Sequence, residues 1–385
     1  MISIQKDHLL LACKYLHRVV PRKPSLPALA CVLIDPTLNE TRLIATDRQR
    51  TAHISIPTGN KIAAMRAKQA GKLLVECGVL ANAAATADAG TFLTLTRDQI
   101  QLTIGGQLST IPITTNQVAD ELSDPTKTEL AGEWLPVSGI FDPDAVKRLL
   151  RCVSRDESRF ILQGICWDAE GYLIATDGRR LHREPFHALP ADLSADVIIP
   201  TAACEIIPPR AAVSLKFGQS SNYIAFVATE NILTIRIYSR LIEGKYPNWR
   251  QVLPTLSGNT IRINNQDVAA SLKKISKLHA NNKDCTATIE VGQGQITLRL
   301  PSISSFSAPA IIAGTPTSIS FNTKFLIDCL ENGGDTFDYQ DETSPATITG
   351  VKRNQHILMP VRLATNTPTA AEPEACATTA QGIAH

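Results

Sequence analysis

The stretch Leu43-Ile44-Ala45-Thr46-Asp47 recurs unchanged as Leu173-Ile174-Ala175-Thr176-Asp177, 130 residues on. Each copy is an apolar run ending in Thr-Asp. That reads as a buried strand entering a turn, with Asp47 and Asp177 as turn formers. A second echo, Leu-Thr-Ile, stands at Leu102–Ile104 and Leu233–Ile235, offset by 131. Two matches at nearly one offset indicate internal duplication. A unit of that length is a whole domain, not a solenoid repeat of about 20–50 residues. A chain of domain copies points to a symmetric scaffold before any active site is considered.

Working outward, the first copy opens with a helix over 6–20, where Leu9, Cys13, Leu16 and Val20 share one face and Lys14 and Arg18 lie on another. Pro21, Pro24 and Pro27 end it, and strands follow at 30–34, 41–45 and 53–56. A second helix is expected over 61–79, carrying Lys61, Lys68 and Lys72, with Gly78 as its stop. Strands at 92–96 and 100–104 form a hairpin around Arg97-Asp98, and 108–113 closes the unit. The acidic, aperiodic 116–134 stretch reads as a linker or solvated excursion.

The second copy restarts at Asp142-Pro143, an N-cap followed by proline at the first helical position. Val146, Leu149, Leu150 and Val153 make its apolar face, with Lys147, Arg148 and Arg151 off it. Strands are expected at 164–167, 172–175, 197–199, 213–217, 223–228 and 232–238. The helix near Thr201–Ile207 is cut short by Pro208-Pro209. After Pro254, Val268, Leu272 and Ile275 give another apolar stripe, beside Lys273, Lys274 and Lys277. Strands follow at 286–291, 295–300 and 318–321, then a helix over 324–330 capped by Asn322 and stopped by Gly333, then strands at 346–349 and 357–361. The third copy rests on element order alone. Residues beyond Leu363, rich in Ala, Thr, Pro and Glu, are expected to be disordered.

The expected domains are 1–130, 131–256 and 257–363, with a tail over 364–385. The class is α+β: three tandem copies, each with helices on one face of antiparallel sheets. At 385 residues, 44% apolar and 19% charged, the chain is a globular protein of two or three domains. No apolar run suits a membrane span, and the N-terminus lacks the pattern of a signal peptide. Nine scattered cysteines without a Cys-x-x-Cys pair read as reduced thiols in a cytoplasm, not a disulfide frame or zinc site. A net charge of +2 neither demands nor forbids nucleic acid, so the distribution of the cations decides.

Three strings carry a resemblance: Ala175-Thr176-Asp177-Gly178-Arg179-Arg180-Leu181; Leu241-Ile242-Glu243-Gly244-Lys245-Tyr246-Pro247-Asn248-Trp249 running into Val252-Leu253-Pro254; and Leu358-Met359-Pro360-Val361-Arg362-Leu363. With the first loop, Arg22-Lys23-Pro24-Ser25-Leu26-Pro27, they make 1–363 similar to the bacterial sliding clamps, the beta subunits of DNA polymerase III. The resemblance implies a head-to-tail homodimeric ring, with helices lining the hole and sheets forming the wall. It implies a DNA processivity factor with no catalysis and no cofactor, whose partners are double-stranded DNA, the replicative polymerase and a clamp-loader ATPase. A sliding protein needs diffuse positive charge toward the phosphates and no base readout. The DNA-facing set is then Lys14, Arg18, Arg22, Lys23, Lys68, Lys72, Lys147, Arg151, Lys273 and Lys277.

The family also has one peptide pocket between its second and third domains. It maps here onto Leu162, Thr176, Gly178, Arg180, Leu181, Pro247, Val252, Met359, Pro360, Val361 and Arg362. These are branched and thioether surfaces, a glycine admitting close approach, and a few orienting polar groups. Four positions depart from the pattern: Gln251 beside the pocket and Thr201-Ala202 after Pro200 replace basic residues, and Asp156 stands in a DNA-side loop. The missing basic pair and the short helix near Thr201–Ile207 motivate a rival reading, a clamp-fold docking hub with weak or no DNA encirclement. Gly105-Gly106-Gln107 matches the catalytic tripeptide of peptide-release factors but lies between strands and reads as a hairpin turn. The eight histidines lack metal-ligand spacing; His182 and His187 read as surface or sheet residues. No phosphate-binding glycine motif and no nucleophile constellation is present.

Overall fold

A computed structural model describes residues 1–57, 71–113, 130–140, 142–186, 196–217, 221–278, 285–300, 305–350 and 354–362. Its elements follow one order three times: strand, helix, four strands, helix, three strands.

The first set is β1 (Ile2–Gln5), α1 (Lys6–Val19), β2 (Cys31–Pro36), β3 (Glu40–Thr46), β4 (Arg50–Pro57), β5 (Leu73–Glu76), α2 (Cys77–Thr86), β6 (Phe92–Leu95), β7 (Gln99–Ile104) and β8 (Gln107–Pro112). The second is β9 (Leu135–Ile140), α3 (Pro143–Leu150), β10 (Gly164–Trp167), β11 (Tyr172–Thr176), β12 (Arg180–Pro185), β13 (Val197–Pro200), α4 (Thr201–Cys204), β14 (Ala212–Phe217), β15 (Asn222–Glu230) and β16 (Leu233–Arg240). The third is β17 (Thr260–Ile263), α5 (Asn265–Leu278), β18 (Thr286–Val291), β19 (Gln295–Arg299), β20 (Ser305–Ala313), β21 (Ser318–Asn322), α6 (Thr323–Glu331), β22 (Gly334–Asp338), β23 (Ala346–Gly350) and β24 (Gln355–Leu358).

Each set builds two antiparallel four-stranded sheets, and sheets join across set boundaries. Strand β4 pairs with β16, placing Thr51 opposite Tyr238, and β12 pairs with β24, placing Leu181 opposite Ile357. With β17 also pairing β20 inside the third set, the result is sheets of four, eight and twelve strands. Helix α1 buries Leu9, Ala12, Cys13, Tyr15, Leu16 and Val19 against β3 and β4, so β4 is buried on both faces, Ala52, Ile54 and Ile56 on one and Thr51, His53 and Ser55 on the other, while the edge strand β8 is mostly exposed. Helices pack in pairs, α1 on α2, α3 on α4 and α5 on α6. Arg18 of α1 donates to the Glu205 carbonyl beyond α4, and Arg151 after α3 pairs with Glu331 of α6. The helices thus form one continuous row, and the sheets lie behind it.

Local chemistry sets the helix ends. The Asp142 carboxylate caps α3 by accepting from the Asp144 N–H, and Asn322 caps α6 by accepting from Lys324 and Phe325. Gly333, with φ at 92°, ends α6 by donating to the Leu330 carbonyl. Pro208-Pro209 follow soon after α4, which stops at Cys204 after a single turn.

Several expectations need correction. Lys72 precedes strand β5, and Gly78 sits in the first turn of α2 instead of ending a helix; 61–70 lie outside the described residues. The alternating apolar residues Leu73 and Val75 pair with β2, so sheet pairing overrides helical patterning there. The Leu-Thr-Ile echo is not a structural repeat: Leu102–Ile104 lie on β7, the seventh strand of its set, and Leu233–Ile235 on β16, the eighth. Apolar-Thr-apolar suits any half-buried strand. The Leu-Ile-Ala-Thr-Asp copies are equivalent, on β3 and β11 with their turns. Strands β1, β9, β12, β17, β20 and β22 add to those that the sequence pattern predicts. In the expected linker, Leu130 is buried and Trp134 donates to its carbonyl while its ring meets Tyr238 at 5.5 Å; 114–129 and the tail from Leu363 lie outside the described residues. Gly105 and Gly106 form the β7–β8 turn and donate to Asp88 at 3.0 and 2.8 Å.

Candidate functional site

The repeated pentapeptides end in one and the same turn. Asp47 accepts from the Gln49 and Arg50 amides at 2.9 and 2.6 Å, and Asp177 accepts from Arg179 and Arg180 at 2.9 and 3.1 Å. Thr46 and Thr176 donate to the Arg50 and Arg180 carbonyls. The residue after each aspartate is left-handed, Arg48 at φ 73° and Gly178 at φ 85°. Each turn carries an arginine into the next set. Arg50 donates to the Ala202 carbonyl of α4 at 3.1 Å, and Arg180 reaches Asp328 of α6 at 2.7 Å. Arg180 also bonds the Arg151 carbonyl and lies 4.2 Å from the Phe325 ring.

Several of the residues mapped to the peptide pocket lie where β12 meets β24. Leu181 is buried opposite Ile357, and Met359, just past β24, is exposed and donates its N–H to the Arg179 carbonyl at 3.1 Å. Val361 donates to Ser320 of the edge strand β21, so the chain past Met359 follows that edge instead of continuing β24, as the sequence reading had it. Gly178 faces Arg159, whose Nη1 would lie 3.0 Å from a Cβ there. Leu162 is half-buried in the turn before β10, alongside a cluster containing Cys166, Ile174, Leu181, Tyr246, Trp249 and Ile357. Tyr246 and Trp249 sink into that cluster, leaving Pro247 and Val252 at the surface. Thr176 is half-buried, Pro360 is half-buried, and Arg362 is exposed. Arg180 is the exception: 7% exposed and saturated with partners, its side chain bolts two sets together behind the surface.

The basic set divides into exposed cations and seam pairs. Lys14, Arg18, Arg22, Lys23, Lys72 and Lys277 are exposed, with no ion pair among the described residues; Lys68 lies outside them. Lys147 pairs with Asp144 at 3.1 Å, and Glu331 takes both Arg151 and Lys273. Three of the expected cations are therefore partly compensated, two of them at the seam between the second and third sets.

One feature of that seam escaped sequence reasoning. His182 on β12 and His356 on β24 are fully buried and stacked, with ring centroids 3.9 Å apart and Nδ1 atoms 2.9 Å apart. His182 Nε2 lies 2.8 Å from Glu184, which takes Arg148 through two bonds at 2.5 and 2.7 Å. Nε2 donating to the carboxylate leaves Nδ1 of His182 to accept from His356. Burial pushes both imidazoles below their usual range. Burial would raise Glu184, but hydrogen bonds from Arg148 and His182 hold its carboxyl at about 2. The residues are 174 apart, and only the strand pairing brings them together.

Among the described residues no cluster of three or more metal-ligating side chains occurs, and no helix is long and apolar enough to cross a membrane. No protein-family model matches the chain. The beta sliding clamp of Streptococcus pneumoniae strain R6 is 25% identical over 348 residues, covering 86% of this chain and 89% of that protein. That of Chlamydia muridarum is 23% identical over 380 residues, covering 91% and 95%. Among solved structures, the Bacillus subtilis DNA polymerase sliding clamp superposes with a TM-score of 0.80 at 19% identity, covering 94% of this chain and 99% of that one. The Bartonella birtlesii DnaN sliding clamp gives 0.77 at 22%, with the same coverage. Along nearly its whole length, and on a fold that repeats one order of elements three times, the chain is similar to the bacterial DNA polymerase III beta sliding clamps.

Proposed function

We infer that the chain is a DNA sliding clamp, a non-catalytic processivity factor that encircles duplex DNA as a head-to-tail homodimer. The observation that carries this reading is the repeated seam. The strand after the Thr-Asp turn pairs with the last strand of the next set: β4 with β16, then β12 with β24. The same rule asks β20 to pair with the last strand of a following first set, β8. Strand β8 is a free sheet edge, and the Ser305–Pro309 half of β20 pairs with β19 alone. Leu108 on β8 and Ile311 on β20 are 73% and 72% exposed. Two copies joined twice through this pairing close by a two-fold operation and leave no free edge of either kind.

The domains run 1–130, 131–256 and 257–363, with a tail beyond. In this reading Lys14, Arg18, Arg22, Lys23, Lys72, Lys147, Arg151, Lys273 and Lys277 meet the phosphates, and Lys68, outside the described residues, belongs to the same proposed set. The i, i+4 pairs Lys14/Arg18, Lys147/Arg151 and Lys273/Lys277 stand on the first helix of each set or directly after it. Diffuse contact of this kind holds by charge without reading sequence. The surface from Leu162, Thr176, Gly178 and Leu181 to Pro247, Val252 and Met359–Arg362 takes partner peptides of the replicative polymerase and clamp loader, in the cytoplasm. Arg180 positions that surface from behind.

Retention on DNA tests the reading. Protein loaded on nicked circular DNA should stay bound in high salt and leave once the circle is cut. Equal loss from circular and linear DNA would reduce it to ordinary electrostatic binding.

A further inference from the structure

The two seams within the chain are built alike. Arg240 donates to the Gln49 carbonyl at 2.9 Å, as Met359 does to Arg179 at 3.1 Å. Two residues on, Ile242 donates to Ile198 of the edge strand β13 at 2.9 Å, as Val361 does to Ser320 of β21 at 2.7 Å. Arg240-Leu241-Ile242-Glu243 therefore stand where Met359-Pro360-Val361-Arg362 stand at the peptide surface.

Beside this first seam opens a cavity of about 1020 Å³, with apolar walls from Leu150, Val153, Phe160, Ala202, Leu241 and Ile242. Phe160 is 56% exposed, an aromatic ring held open to solvent. The space sits beside α4, which has a single turn, whereas α6 at the second seam runs nine residues and lays Phe325 on Arg180. Charge also differs between the seams. Glu243 replaces Arg362 and Gln49 replaces Arg179, and Glu205 adds a second carboxylate to the lining besides Asp47, which is taken by Arg50. Neither Glu205 nor Glu243 has an ion pair among the described residues. Of the lining cations, Arg50 is paired with Asp47, Arg240 donates to the neutral Tyr223 hydroxyl, and Arg155 is exposed.

We propose that this cavity is a second peptide-docking pocket, for an extended partner segment whose apolar anchor is flanked by basic residues. The proposal rests on reading the Met359 surface as a peptide pocket. The apolar side chain fills the space against Phe160, Leu241 and Ile242, and the basic residues meet Glu205 and Glu243. The two pockets then differ in the sign of charge they select, which separates their partners.

Fluorescence anisotropy on the full-length protein tests this. The probes are a fluorescein-labelled Leu-Arg-Leu-Phe-Arg-Arg peptide and its Leu-Glu-Leu-Phe-Glu-Glu counterpart. The basic probe should bind, and Phe160→Asp and Glu243→Arg should each weaken it about tenfold or more. Met359→Asp should leave it within about twofold. Phe160 and Glu243 are exposed, and thermal melts of the variants verify folding. Loss with Met359→Asp alone, equal binding of the acidic probe, or no binding of the basic probe would each overturn the proposal. Circular-DNA retention, measured on the same preparations, separates failure of the second pocket from failure of the clamp reading.

Discussion

Arg180 places its guanidinium 2.7 Å from the Asp328 carboxylate, across the boundary between the second and third sets, while Asp177 holds the same side chain at 3.0 Å from its own turn. A buried ion pair contributes less by its existence than its breakage costs, because the surviving partner stays desolvated. Asp328→Ala should therefore destabilise by about 3–5 kcal/mol. The double variant Arg180→Met, Asp328→Leu should recover most of that. Urea unfolding of the three proteins measures both effects; equal loss in the single and double variants would remove the bolt.

Acid should loosen the same seam. His182 and His356 are held below their ordinary range, so the unfolded chain takes up protons first as pH falls through about 6.5. Stability is fully present above that value and declines below it, by up to about 1.4 kcal/mol per pH unit for each histidine. Glu184, held at about 2, adds a second loss as pH falls from 4.5 toward 2. Unfolding free energies between pH 7.5 and 5.5 should show the first slope, and His182→Asn with His356→Asn should flatten it.

The two equivalent turns predict opposite substitutions. Arg48 occupies a left-handed position that Gly178 fills in the second copy. Arg48→Gly should be neutral or stabilise by up to about 1 kcal/mol, because glycine bears no penalty there. Gly178→Ala should cost about 1 kcal/mol or more, from its positive φ and from the close approach of Arg159. Paired thermal melts check both signs.

The unpaired edge offers a test of the proposed ring. Leu108→Asp places a charge on the exposed face of β8 and should yield monomers by light scattering, with the far-ultraviolet spectrum unchanged. A variant that remained dimeric would exclude β8 from the seam.

Charge reversal separates exposed cations from compensated ones. Lys14→Glu and Lys277→Glu should each shorten retention on circular DNA and lower its salt dependence, since both are exposed and have no ion pair among the described residues. Lys147→Glu, which removes the partner of Asp144, should do so less per charge. Residence times against salt concentration measure the difference.

Much of this protein was legible in one dimension because its signals are local. The copied Leu-Ile-Ala-Thr-Asp marks a strand and turn whose hydrogen bonds close within five residues, and the apolar stripes of α1, α3 and α5 depend only on helical period. Caps at Asp142 and Asn322 are likewise local. Period failed where partners dominate: β5 reads as helix until β2 pairs with it, and β12, dense in charge, becomes a strand only between β11 and β24. Tertiary structure alone decided which cations face solvent and which, like Arg151 and Lys273, are taken by Glu331. It alone stacked His182 on His356, turned Arg180 inward and opened the cavity beside α4. Those outcomes depend on distance between residues far apart in the chain, and electrostatics and burial are functions of that distance, not of order.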